Sequence, residues 1–164
     1  MISILALQPD ARQIGYASFE GKTLIDWGAK DLGALPVSER LLEAAIPFFR
    51  TLIKWHEPEV VVVPPPTKTP GTFRNLFLYA VQRETGHIPF IIQSFDRAKI
   101  QETFKSTLGC DGVNKDLIMQ ALAKWFRELE IYLPKPRRPW QSEDYWAPMF
   151  DAVSLAVTYL KDNE

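Results

Sequence analysis

The sequence has a single cysteine, Cys110, and two histidines, His56 and His87. One thiol excludes an internal disulfide framework, and neither histidine has a second histidine or a cysteine at metal-ligand spacing, which excludes a zinc site of the usual composition. Net charge is also scarce, with 19 Lys and Arg against 20 Asp and Glu for a formal charge of -1. The whole molecule therefore does not attract phosphate, and a nucleic-acid role has to rest on a local basic patch. No apolar run approaches the ~20 residues of a membrane-spanning helix, and the first residues lack the charged flank and long apolar core of a secretory signal. The expectation is a cytoplasmic protein with no membrane contact. Neither a phosphate-cradling glycine loop nor a defensible Ser-His-Asp set is present.

What is abundant is material for a core. The 164 residues are 46% hydrophobic and 12% aromatic, enough for one domain, residues 1–164, with a well-buried interior. Ile2 to Leu7 is a continuous apolar run that reads as a strand buried on both faces. It halts at Gln8-Pro9-Asp10. Arg12 to Phe19 and Thr23 to Trp27 flank Glu20-Gly21-Lys22 as a hairpin. Ser38 precedes apolar residues at helical spacing from Leu41 to Ile53, with Pro47 expected to bend the helix. Val60 to Val63 is a β-branched strand ended by Pro64-Pro65-Pro66, which cannot donate ladder hydrogen bonds.

Phe73 to Glu84 has helical periodicity and stops at Gly86. Ile88 to Gln93 reads as another short strand and Ala98 to Phe104 as helix. Gly109 and Gly112 break the chain before a longer helix from about Asn114 to Leu129, which buries Leu117, Ile118, Ala121, Leu122, Trp125 and Phe126. Pro134 to Trp140 is a loop, and Asp151 to Leu160 a closing helix. The order predicts an α/β fold: a mixed sheet with three antiparallel strands followed by parallel strands, and helices on both faces.

ALQPDARQIGYASF resembles the opening strand and hairpin of RuvC-type Holliday junction resolvases, in the ribonuclease H-like superfamily, whose pattern runs roughly G-[IL]-D-P-G-x-R-x-x-G-[YW]. Pro9, Arg12, Gly15 and Tyr16 match it. Pro58-Glu59 and the valine strand resemble the family's P-D-x-x-x-[IV]-E strand, and Gly86 to Phe90 falls where its next strand begins. Gly109 to Lys115 resembles its G-x-G-x-A-x-K turn, and Asp151 to Ala156 its closing D-A-x-A-x-A helix. The resemblance implies a ribonuclease H-like fold, a role with Holliday junctions in DNA recombination, and a homodimer paired through helices.

The family cuts DNA with two divalent metals held by four carboxylates, a number that hard cations ~3.5–4 Å apart require. Matched residue by residue, those positions are Gln8, Pro64, Pro148 and Asp151, so one acid remains. The reading is a RuvC-like nucleic-acid-binding protein, a pseudoenzyme needing no cofactor. Its site residues are Asp151 and Asp10 at the catalytic position and Arg12, Lys68, Arg74, Lys99, Lys105 and Lys115 toward branched or duplex DNA, with no metal ligand set. Glu39, Glu43, Glu128 and Glu130 are expected to face elsewhere.

Two alternatives stay open. One is an active endonuclease that holds magnesium or manganese through displaced ligands such as Asp10, Glu143 and Asp144. The other is a scaffold that keeps the fold and binds a protein partner, through aromatics such as Trp140, Tyr145 and Trp146. Plainer readings stand beside these residues. Asp151 also reads as an acid favoured at a helix start by the dipole and by capping. Asn114-Lys115-Asp116 is also an ordinary helix start, and the lysines also read as a solvated charge mixture. The basic loop Lys135 to Pro139 either touches phosphate or keeps the loop soluble.

Overall fold

The computed structural model describes residues 1–33, 38–86, 88–135 and 145–164. Its strands are β1 (Ser3–Pro9), β2 (Gln13–Glu20), β3 (Thr23–Asp31), β4 (Val60–Val63) and β5 (Ile91–Ser94). The helices are α1 (Ser38–His56), α2 (Phe73–Glu84), α3 (Arg97–Leu108), α4 (Lys115–Trp125) and α5 (Ala147–Asp162), with a 3-10 turn at Arg127–Tyr132. The strands form one sheet in the order β3-β2-β1-β4-β5. β1, β2 and β3 pair antiparallel, while β4 pairs parallel to β1 and β5 parallel to β4.

The continuous apolar strands follow from this topology. Side chains alternate across a strand, so a strand covered on both faces has to be apolar at every position. Ile4 and Ala6 of β1 and Val60 and Val62 of β4 pack with α3, α4 and α5. Leu5, Leu7, Val61 and Val63 pack on the opposite face with α1 and α2, where Phe49 meets Phe77 and Phe90 edge-on. α5 is buried from Ala147 to Tyr159 except at Asp151, as a helix apolar on nearly every side should be. Its two buried hydroxyls bond back to the helix, Ser154 donating to the Asp151 carbonyl (2.6 Å) and Thr158 to the Ser154 carbonyl (2.7 Å).

Gly15 sets how closely α5 approaches the sheet. A Cβ at Gly15 would collide with the carbonyl of Pro148 and the Met149 nitrogen. Only glycine allows that backbone-to-backbone packing.

Several boundaries differ from expectation. β1 does not halt at Leu7 but continues through Gln8 to Pro9. Beyond Ala6 it pairs only with β2, so the missing N–H of Pro9 costs no ladder bond. β5 begins at Ile91, past Pro89, and is an exposed edge rather than a core strand: Ile91 is 62% exposed. α1 spans Ser38–His56 with Pro47 inside it.

The helix expected from Asn114 to Leu129 ends at Trp125. Phe126 is extended (φ -118°, ψ 91°) and the chain tightens into the 3-10 turn. Trp125 is consequently half out of the core, stacked on Phe104 at 5.8 Å between ring centroids. Finally, α5 opens at Ala147, four residues before Asp151, which overturns the reading of Asp151 as an acid at a helix start. His87, the basic loop from Pro136 to Pro139, Trp140, Glu143 and Asp144 lie outside the described residues.

Candidate functional site

A cleft of about 670 Å³ opens where the β1–β4 ladder stops. In each strand the residue that continues the α5-facing set after Ala6 or Val62 is a cleft residue: Gln8 in β1 and Pro64 after β4. Ligand sites of open α/β sheets gather at such carboxyl ends of parallel strands. Asp151 and Ser154 of α5 close the back of the cleft. Pro148 packs on Gly15 and is not part of its lining.

Asp10 enters from the turn after β1, held by its own N–H bonding the Gln13 carbonyl (2.9 Å) and its carboxylate accepting from the Ala11 N–H (2.8 Å). Gln8 is half-buried and its amide nitrogen donates to the Pro9 carbonyl at 3.4 Å. Pro64 is buried and offers no side-chain donor or acceptor.

Three helices start at the cleft, and each brings a cation in its first turn. α2 is capped by Thr72 and carries Arg74. α3 is capped by Asp96 and carries Arg97. α4 is capped by Asn114 and carries Lys115. Lys115 Nζ lies 3.2 Å from Asp151 Oδ2, with side-chain exposures of 22% and 30%. Arg74 donates from Nη2 to the Pro65 carbonyl at 2.7 Å, which ties its guanidinium to the chain just past β4. Its Nε is buried and has no hydrogen-bond partner among the described residues. Burial pulls the Arg74 guanidinium below its ordinary range, and the charges of Asp10 and Asp151 oppose that shift. Arginine remains cationic at neutral pH under such a perturbation, so Arg74 stands as a fixed positive charge in the field of both acids.

Among the residues singled out from sequence, Asp10, Arg74, Lys115 and Asp151 thus share one cleft. Arg12 and Lys68 are exposed and directly follow the lining residues Ala11 and Thr67. Lys99 and Lys105 lie outside the lining. Lys99 meets Asp162 at 2.9 Å, a partner that raises its pKa through the hydrogen bond and the charge, and Lys105 meets Asp111 at 3.2 Å. None of Glu39, Glu43, Glu128 and Glu130 lines the cleft.

Arg97, together with Ser38, Thr67 and Gln101, is a cleft residue that sequence reading did not single out. A signal for Arg97 existed, since a base directly after an Asp cap is unfavourable for the helix alone. His56 has a local partner: its Nε2 is 2.9 Å from Asp26 Oδ2. Tyr145 and Trp146 pack edge-on at 4.9 Å, and Trp146 also packs on Tyr132 at 4.7 Å.

The sheet order, the mixed strand directions and the helices on both faces are those of the ribonuclease H-like fold of Holliday junction resolvases. RuvC of Thermus thermophilus in complex with a Holliday junction substrate matches with a TM-score of 0.69 at 11% identity, over 99% of this chain and 95% of that one. The yeast mitochondrial Holliday junction resolvase matches with 0.64 at 14% identity, over 98% and 79%. The fowlpox virus resolvase in complex with Holliday junction DNA matches with 0.61 at 12% identity, over 99% of both chains. At these identities the likeness is one of fold. No protein-family model and no curated protein matches this sequence. Among the described residues, no helix is long and apolar enough to cross a membrane.

The described cleft residues include two acids, Asp10 and Asp151, fewer than a pair of divalent ions requires. Among the described residues no three His, Cys, Asp or Glu side chains converge where a metal could sit. Gln8 supplies a neutral amide oxygen, Pro64 supplies no side-chain ligand, and the charge of Arg74 interacts with those of both Asp10 and Asp151. Hard cations require several anionic oxygens, and a neighbouring guanidinium repels them.

Proposed function

We propose that this chain is a RuvC-like nucleic-acid-binding protein that holds branched or duplex DNA through its phosphates and does not cut it. The observation that carries the reading is the cleft itself. Gln8 and Pro64 stand at the two strand ends, and Arg74, Arg97 and Lys115 converge on the same space. Two resolvases that share the fold are described in complex with Holliday junctions, which supports DNA as the ligand and the junction as the first form to test. The family resemblance also takes the chain as a cytoplasmic homodimer, and sedimentation velocity measures the second of these directly.

Binding of this kind neutralises phosphates without reading bases, so it falls steeply with salt and shows little sequence preference. Anisotropy of a labelled four-way junction across ionic strengths tests it. The expected log–log slope is about -0.9 for each phosphate contacted on duplex arms. No measurable affinity for junction or duplex at low salt would refute the reading. Both Asp10 and Asp151 line the cleft, which is the observation that favours an active nuclease with displaced ligands. Tight stoichiometric binding of magnesium or manganese in a calorimetric titration would support that alternative.

A further inference from the structure

The three cleft cations occupy positions that their own helices disfavour. The positive end of the macrodipole repels a base in the first turn, yet α2, α3 and α4 each place one there, and all three face one space. Local rules broken together at one point mark a functional compensation. A bound anion supplies it, since it meets both the side-chain charges and the N-terminal ends of the helices. The guanidinium of Arg74 is held in place for this by the bond from Nη2 to the Pro65 carbonyl.

We propose that Arg74, Arg97 and Lys115 form a metal-independent seat for one phosphodiester phosphate, with Arg74 supplying the positive charge that divalent ions supply in a cutting site. The seat deepens the DNA-binding reading and rests on it for the carrier of the phosphate. Opposing charges are Asp10 and Asp151 in the lining, with Asp96 and Asp116 exposed at the starts of α3 and α4 outside it. Asp151, 3.2 Å from Lys115, competes with the phosphate for the same cations. The seat therefore predicts that Asp151→Asn tightens binding, because it removes a negative charge from beside the incoming phosphate. A site that works through metals predicts a loss instead.

The test uses the full chain in EDTA at constant ionic strength, with two probes. Inorganic phosphate is read by the shift in melting temperature, and a labelled four-way junction by anisotropy. Arg74→Gln, Arg97→Ala and Asp151→Asn are compared with the parent, which also controls for the general stabilisation that phosphate gives any protein. Arg97 is exposed, so its variant remains folded should Arg74→Gln not.

The expected result is a phosphate-dependent rise in melting temperature that shrinks in both arginine variants. Affinity for the junction falls about tenfold in each, the scale of one lost charge-assisted contact, and Asp151→Asn tightens it several-fold. Phosphate binding without junction binding upholds the seat and removes DNA as its carrier. Junction binding that ignores both arginines, or that needs magnesium, overturns the seat and leaves the DNA-binding reading intact.

Discussion

The two faces of the sheet are built from the same strands and finish differently. On the α1 and α2 side, the aromatic cluster of Phe49, Phe73, Phe77 and Phe90 fills the space, and the helices are joined at the surface by the Arg50–Glu84 ion pair at 2.8 Å. On the α3, α4 and α5 side, the core is equally dry beneath Ile4, Ala6 and Val62, but the layer opens at the strand ends into a cleft with charged walls. Packing dictates the first face up to the starts of α1 and α2, where Ser38, Thr72, Phe73 and Arg74 join the cleft lining. On the second, packing dictates only as far as Ala6 and Val62, and beyond them the residue types are free to follow chemistry. The fold matches that of a resolvase at a TM-score of 0.69 and 11% identity, while Gln8 and Pro64 stand where the family resemblance calls for acids.

Substitutions can break this contrast in order of effect. Gly15→Val should be the most damaging, because its side chain would meet the Pro148 backbone and push α5 off the sheet. A loss of more than about 4 kcal/mol is expected, read by denaturant unfolding. Phe49→Ala, on the closed face and fully buried, should cost about 3–5 kcal/mol and leave junction affinity unchanged wherever the protein is folded. A parallel loss of binding would show that the faces are coupled.

Gln8→Asp sharpens the other side of the comparison. Gln8 lines the cleft, and a carboxylate there adds a third acid beside Arg74. Junction affinity should weaken roughly threefold to tenfold through repulsion of phosphate, with stability little changed. The smallest effect concerns Tyr16, which packs against Phe48 of α1. Burial first, and the Asp26 charge second, hold its phenol above the ordinary range. The folded state therefore keeps the proton longer than the unfolded chain. The stability this gives is fully present below the unfolded phenol pKa of about 10 and is lost as pH rises through the folded value. Tyr16→Phe should flatten that alkaline loss in melts taken across the range.

Much of the fold was legible because burial on both faces leaves an unmistakable trace: the runs at Ile4 to Leu7 and Val60 to Val63 admit little else. Local chemistry misled where two structures share one pattern. Helical periodicity persisted past Trp125 although the chain turns into a 3-10 segment there, and Ile88 looked as apolar as the edge strand that starts three residues later. In the cleft, Lys115 and Asp151 were visible through motif positions, Asp10 through its place in the turn after Gln8, and Arg74 as one of the bases expected on the DNA-facing side. Arg97 was not singled out: it belongs to no motif, and its one local signal, a base directly after the Asp96 cap, gains meaning when three helix starts meet in space. Lys99 and Lys105 were singled out by charge and lie on α3 outside the cleft lining, paired with Asp162 and Asp111.

The claim at the centre is that this cleft binds phosphate and does not break it. The direct measurement is a denaturing gel of an end-labelled four-way junction incubated with the protein and magnesium or manganese. The account predicts intact strands at protein concentrations that saturate binding. Cut strands that disappear with Asp151→Asn would contradict it.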